Sequence, residues 1–115
     1  MKARLARLDD GATFELAPGV SGRPLFGDDV MFNLVECEPG ATVELHSHPH
    51  EQLGVILRGS LTLTIDGEDH ELGPMQAVAL PGGIEHSAIA GPDGAMMLDV
   101  FTPVREDYRE RYGAA

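Results

Sequence analysis

Three of the chain's five histidines fall within five residues, in the run His46-Ser47-His48-Pro49-His50-Glu51-Gln52. Imidazole is the commonest protein ligand for late first-row metals. On a strand, residues i and i+2 face the same way, so His46 and His48 can aim their rings into one space. Pro49 has no N–H to give to a ladder and interrupts that strand. Gln52 stands at the head of the apolar run Leu53 to Leu57, and His86 follows Pro81-Gly82-Gly83-Ile84-Glu85 much later. We read His46, His48, Gln52 and His86 as the ligands of one divalent transition metal, with Zn, Ni, Mn, Co and Fe all open. Two plainer readings stand beside this one. A His-x-His pair on a strand can be a surface pair, and Gln52 can hold a bound water instead of the ion. Pro49 leaves the role of His50 open.

Three neutral imidazoles and a neutral amide would leave a divalent ion its full charge. A six-coordinate ion would keep two positions for water or substrate. Such a centre polarises a carbonyl or hydroxyl oxygen, or acidifies a bound water. The neutral Gln52 favours electrophilic, non-redox work on an anionic ligand, without excluding iron and dioxygen. A second group lies on the last apolar strand, where Asp99 is in step with Phe101. A buried carboxylate needs a partner or a raised pKa. Asp99 is therefore either a structural acid paired with a base or a general acid–base beside the metal. Arg105, just beyond, either anchors a substrate carboxylate in a bidentate contact or is an exposed helix residue.

The elements that must position these residues are short strands. The 115 residues fit one domain, and 43% apolar content suffices for one core. Val30–Glu38, Ala41–His48, Leu53–Arg58, the alternating Leu61–Ile65, Gln76–Leu80, Ile84–Ala90 and Ala95–Phe101 read as strands. Pro39-Gly40, Gly59 and Gly91-Pro92-Asp93-Gly94 read as turns or loops, and Asp66-Gly67 as a tight hairpin. Thr102 and Pro103 suit an N-cap and first helical position, predicting a short helix over about 103–112. Residues 1–27 are expected as an N-terminal arm and about 28–103 as the barrel core of a single 1–115 domain. Such spacing predicts an all-β sandwich or barrel.

The net charge of −11 argues against nucleic acid and anionic membrane surfaces as partners, but not against a small anion at a local positive site. No apolar run approaches the ~20 residues of a membrane span. The basic start lacks the apolar stretch of a secretory signal, so a cytoplasmic protein is expected. The single cysteine, Cys37, permits no internal disulfide. No activating neighbour is identifiable, so Cys37 reads as a packed strand residue rather than a nucleophile. His70, among acids beside the hairpin, reads as solvated.

Gly40, His46, His48, Gln52 and Gly59 form G-x5-H-x-H-x3-Q-x6-G, and Pro81, Gly83 and His86 form P-x-G-x2-H. In that order the two resemble the paired motifs of the cupin superfamily, over roughly residues 33 to 103. The first motif commonly has glutamate where this chain has Gln52. Met75 and Ala90 replace a glycine and an asparagine of the second. The resemblance implies a double-stranded β-helix, or jelly roll, with a short C-terminal helix. More narrowly, the run from His46 to Gln52 and the run from Asp99 to Tyr108 look like the KdgF-type cupins of pectin and alginate breakdown. Ala17-Pro18-Gly19-Val20 with Arg23 is similar as well. That group converts unsaturated uronates from pyranose to linear ketone form. The likeness implies that Asp99, Phe101 and Arg105 handle substrate near the metal. It further implies a small-molecule substrate and, as in many small cupins, a homodimer. Three other functions stay open: a dioxygenase of the quercetin-dioxygenase-like type, a cyclase or isomerase of secondary metabolism, and a binding barrel without turnover.

Overall fold

The computed structural model describes residues 2–113. Among the described residues are eight strands and one helix: β1 (Phe14–Ala17), β2 (Val20–Phe26), β3 (Met31–Cys37), β4 (Thr42–His46), β5 (Glu51–Ile65), β6 (Glu68–Leu72), β7 (Ala77–Leu80), β8 (His86–Thr102) and α1 (Glu106–Tyr112). All strand pairings are antiparallel, in the order β1-β2-β3-β8-β5-β6, with β4 on β8 and β7 on β5. This is the all-β jelly roll that the resemblance implies, with one short C-terminal helix.

Two strands are longer than expected. Gly59 does not end β5, and Gly91-Pro92-Asp93-Gly94 does not end β8. Each glycine-containing point is a bend inside a continuous strand. Gly59 and Gly94 hold positive φ of 77° and 76°. Between them the register slips, from Gly59 against Ala95 to Leu61 against Ala90. A Cβ on Gly59 would run into the Gly94 carbonyl, so the strands meet there backbone to backbone. The bends let β5 and β8 serve two facing sheet halves. Ile56 and Met97 come from one half, Leu61, Leu63, Ala88 and Ala90 from the other, and all pack into one buried cluster. Burying the larger of these, the leucines, Ile56 and Met97, contributes roughly 1.5–3 kcal/mol each.

Parity is regular on the first half. Met31, Asn33 and Val35 point inward on β3, Gln52, Gly54 and Ile56 on β5, and Met97, Asp99 and Phe101 on β8. On β4 it breaks. Val43 opposes Ala88 but His46 opposes His86, so three residues of β4 span two of β8. This bulge, over Glu44 and Leu45, puts His46 on the inward face with Val43 rather than in step with Thr42 and Glu44.

The expected arm is corrected in part. Residues 14–26 form β1 and β2, and β2 is hydrogen-bonded along its length to β3. Weak alternation in Val20–Phe26, broken by Gly22 and Pro24, hid the strand. The helix is corrected too. It starts at Glu106, with Arg105 as N-cap and no side-chain cap. Thr102 instead remains in β8, its hydroxyl donating to the Asp29 carbonyl at 3.1 Å, and the Thr102–Pro103 peptide is cis. Asp66-Gly67 turns tightly with both φ positive, as the hairpin requires. Met75, standing where the second motif has glycine, adopts φ 68°, the backbone region glycine favours.

Candidate functional site

The sheet halves diverge at one end and leave a cavity of about 610 Å³. Its lining includes His46, Gln52, His86, Asp99, Phe101 and Arg105. His46 arrives from the end of β4, His48 from the turn after it, Gln52 from the start of β5 and His86 from the start of β8. His48, Gln52 and His86 are buried and His46 is half-buried. Ligand atoms of His46, His48 and His86 lie within 4.8 Å of one another. The structure thus brings the three histidines together from positions forty residues apart.

Each of the three rings is held from behind. Nδ1 of His46 pairs with the Glu44 carbonyl at 2.8 Å, Nδ1 of His48 with the His50 carbonyl at 3.1 Å, and Nδ1 of His86 with the Ile84 carbonyl at 3.0 Å. A carbonyl accepts only, so each Nδ1 carries a proton and each ring is held with Nε2 turned toward the others. This is the arrangement that presents imidazole to a metal. Nε2 of His86 is buried with no hydrogen-bond partner among the described residues. Nε2 of His48 lies 3.1 Å from Oε1 of Gln52. Burial, with Arg105 adding its charge, holds the His48 pKa below the ordinary value, so the ring is neutral. Burial first does the same to His86. A neutral His48 has one proton for two acceptors. The three imidazoles form a donor set that fits a divalent transition metal.

The remaining expected residues gather around this cluster. Asp99 is buried on β8, opposite Gly54 of β5, and has no ion pair among the described residues. Burial pushes its carboxyl up to about 7, while the neighbouring Gln52 amide and the Arg105 guanidinium pull the other way. Phe101 packs edge-on against His48, with centroids 5.5 Å apart. Arg105 is not an exposed helix residue. Its side chain is only 12% exposed, pairs with Asp107 at 2.9 Å, and lies 3.9 Å from the Tyr108 ring centroid. Val104 anchors this segment in a second apolar cluster with Met31 and Phe101. Glu51 is exposed and points away, as its parity requires. His50 contributes its backbone carbonyl to the cluster and is not among the gathered ligand groups. His70 is exposed, and Cys37 is half-buried, its thiol raised to about 11 chiefly by burial.

The sequence reading missed two polar cavity residues. Tyr108 sits one helical turn past Arg105, and burial first raises its hydroxyl's pKa. Asn33 faces inward on β3. Its signal was the one that found Asp99: a polar residue at an inward position of an apolar strand.

The cupin domain family matches residues 33–101. The chain belongs to the cupin family. Over 104 residues it is 28% identical to the pectin degradation protein KdgF of Dickeya dadantii (strain 3937), covering 88% of this chain and 94% of that one. Dimethylsulfoniopropionate lyase DddW of Ruegeria pomeroyi is 33% identical over 75 residues, 65% of this cupin. That match spans only 49% of DddW, about half its length. Among solved structures, KdgF from a Halomonas species superposes with a TM-score of 0.86 at 25% identity, covering 92% of this chain and 98% of that chain. This small cupin is therefore KdgF-like along nearly its whole length. No helix among the described residues is long and apolar enough to cross a membrane.

Proposed function

We propose that this cupin is a metal-dependent, non-redox enzyme that opens the pyranose ring of a small unsaturated uronate. The observation that carries the reading is a three-histidine cluster at one cavity, lined by His46 and His86, with a buried carboxyl and a half-buried guanidinium beside it. End-to-end likeness to KdgF supports it. In this reading His46, His48, His86 and Gln52 hold a divalent transition metal. When bound, that ion supplies Lewis acidity toward substrate oxygens.

The chain's own groups do the rest. Arg105 takes the substrate carboxylate, its guanidinium kept in place by Asp107 and stacked on Tyr108. Phe101 packs between His48 and Arg105 and keeps water from the reacting face. Asp99, as carboxylate, removes the proton of the anomeric hydroxyl. The C1 carbonyl forms as the bond from C1 to the ring oxygen breaks, and the electron pair goes to that oxygen as an enolate. Asp99 then returns the proton to C4, leaving a linear ketone with no net change in composition. A carboxyl poised near neutrality suits both transfers.

The functional unit in this reading is a homodimer. The outer face of the first sheet half carries Phe32, Leu53, Val55, Ala79, Leu98 and Val100 on four adjacent strands, with no charged side chain among them. Copies each carrying −11 repel one another least through an uncharged face such as this one.

Incubation of the purified protein with monomeric 4,5-unsaturated galacturonate tests the activity, with elemental analysis of the same sample. Loss of the conjugated double bond's ultraviolet absorbance, with about one equivalent of Zn, Ni, Mn or Co per chain, is the expected result. Stoichiometric iron with oxygen uptake, or unchanged substrate, overturns it.

A further inference from the structure

The proposed chemistry uses Asp99 and leaves its cross-strand neighbour unexplained. Asn33 stands directly opposite Asp99 in the β3–β8 register. It is 2% exposed, lines the same cavity, and its Oδ1 is buried with no hydrogen-bond partner among the described residues. Oδ1 of Asp99 is in the same state. An orphaned buried amide oxygen costs roughly 1–3 kcal/mol unless something pairs with it. Here an amide oxygen and a carboxyl oxygen, both without a partner among the described residues, stand on neighbouring strands of the cavity wall.

Glycines flank the pair. A Cβ on Gly22 of β2 would stand 2.6 Å from Oδ1 and 3.1 Å from Nδ2 of Asn33. A Cβ on Gly54 of β5 would stand 2.9 Å from Oδ1 of Asp99. Across four adjacent strands, two bare backbones make room for two polar side chains. Apolar residues at positions 33 and 99 would fill such a wall without an unpaired group. The polar pair suits a ligand that brings its own hydrogen-bonding groups.

We propose that the Asn33 carboxamide binds a ring hydroxyl of the substrate on the cavity wall beside Asp99, making Asn33 a specificity-determining residue. The proposal rests on the sugar-acid reading above. A carboxamide both donates and accepts, as a hydroxyl does, so one residue can satisfy it fully. A ligand lacking that hydroxyl would leave the amide unpaired again and be rejected.

The test uses metal-loaded protein and an unreactive probe, saturated galacturonate, with its 2-deoxy and 3-deoxy forms. Calorimetry gives the dissociation constants for wild type, Asn33→Leu and Asn33→Ser. Wild type is expected to bind one deoxy form about ten- to hundredfold more weakly than the parent. Asn33→Leu should lose the same factor on the parent and no longer distinguish that deoxy form, with metal content unchanged. The Asn33→Ser variant and the wild-type analogue series decide the matter if Asn33→Leu does not fold. Equal binding of all three sugars by wild type, or a preference that survives in both variants, overturns the proposal. If wild type shows the preference but does not turn over 4,5-unsaturated galacturonate, ring opening fails and Asn33 stands. If none of the sugars binds, the Asn33 proposal fails, and turnover of 4,5-unsaturated galacturonate still decides ring opening.

Discussion

Nε2 of His48 lies 3.1 Å from Oε1 of Gln52 while Nδ1 of the same ring holds the His50 carbonyl at 3.1 Å. One neutral imidazole thus faces two oxygen acceptors. That relationship ties Gln52 to the histidine cluster. Replacing His48 by alanine removes one ligand and the orientation of its neighbour. Loss of an outer hydrogen-bonding partner costs 10–100-fold in metal affinity, so loss of a ligand should exceed about a hundredfold. Elemental analysis after dialysis checks it, and near-normal metal content in His48→Ala would remove His48 from the ligand set.

Asp99→Asn keeps the shape of the buried side chain but removes its ability to take a proton. Metal content should stay at the wild-type level while kcat falls by about 10²–10⁴-fold. An Asn variant that loses metal and melts at a much lower temperature would make Asp99 a structural residue instead.

Cys37 gives a pH-dependent expectation away from the site. Its thiol is raised to about 11 by burial, with the Asp99 charge adding to the shift. At about pH 8 only about one thiol in a thousand is ionised, so disulfide reagents should label it far more slowly than in denaturant. The unfolded thiol ionises first as pH rises. Cys37 therefore contributes stability below about pH 9 that is lost as pH climbs toward 11. Rapid labelling of the native protein at neutral pH would contradict this.

The bend shared by the long strands should be intolerant of a side chain. Gly59 has φ 77°, and its added Cβ would meet the Gly94 carbonyl and Cα of Ala95. Gly59→Ala should cost about 2 kcal/mol or more, read as a fall in Tm. The same change at Gly67, also with positive φ but with open space around it, should cost less.

Leu53→Asp places a carboxylate at the centre of the uncharged outer face, at a residue 49% exposed in the single chain. Light scattering should show wild type as a dimer and the variant as a monomer with its fold intact by circular dichroism. A monomeric wild type would dispose of this interface.

Much of this protein was already written in residue types and spacing. His46 and His48 close in sequence, His86 far from them, and glycines and prolines between short apolar runs point to a gathered histidine cluster and to turns. These signals are local, and periodicity reports them directly. The inward positions of Asp99 and Phe101 were legible because strand alternation has a fixed period of two.

Only the tertiary structure decided how those pieces meet. Strand parity alone puts His46 in step with Glu44, yet the bulge at Glu44 and Leu45 sets it beside Val43 and His86, because pairing with β8 outweighs local alternation. Gly59 and Gly91–Gly94 look like strand ends, but continued hydrogen bonding along β5 and β8 turns them into bends. Thr102 looks like a helix cap, yet its hydroxyl finds the Asp29 carbonyl, 73 residues away. Arg105 looks like a solvent residue until Val104 is buried and Tyr108 stacks beneath it. In each case a long-range partner offers more than the local preference, and no local pattern carries the identity of that partner.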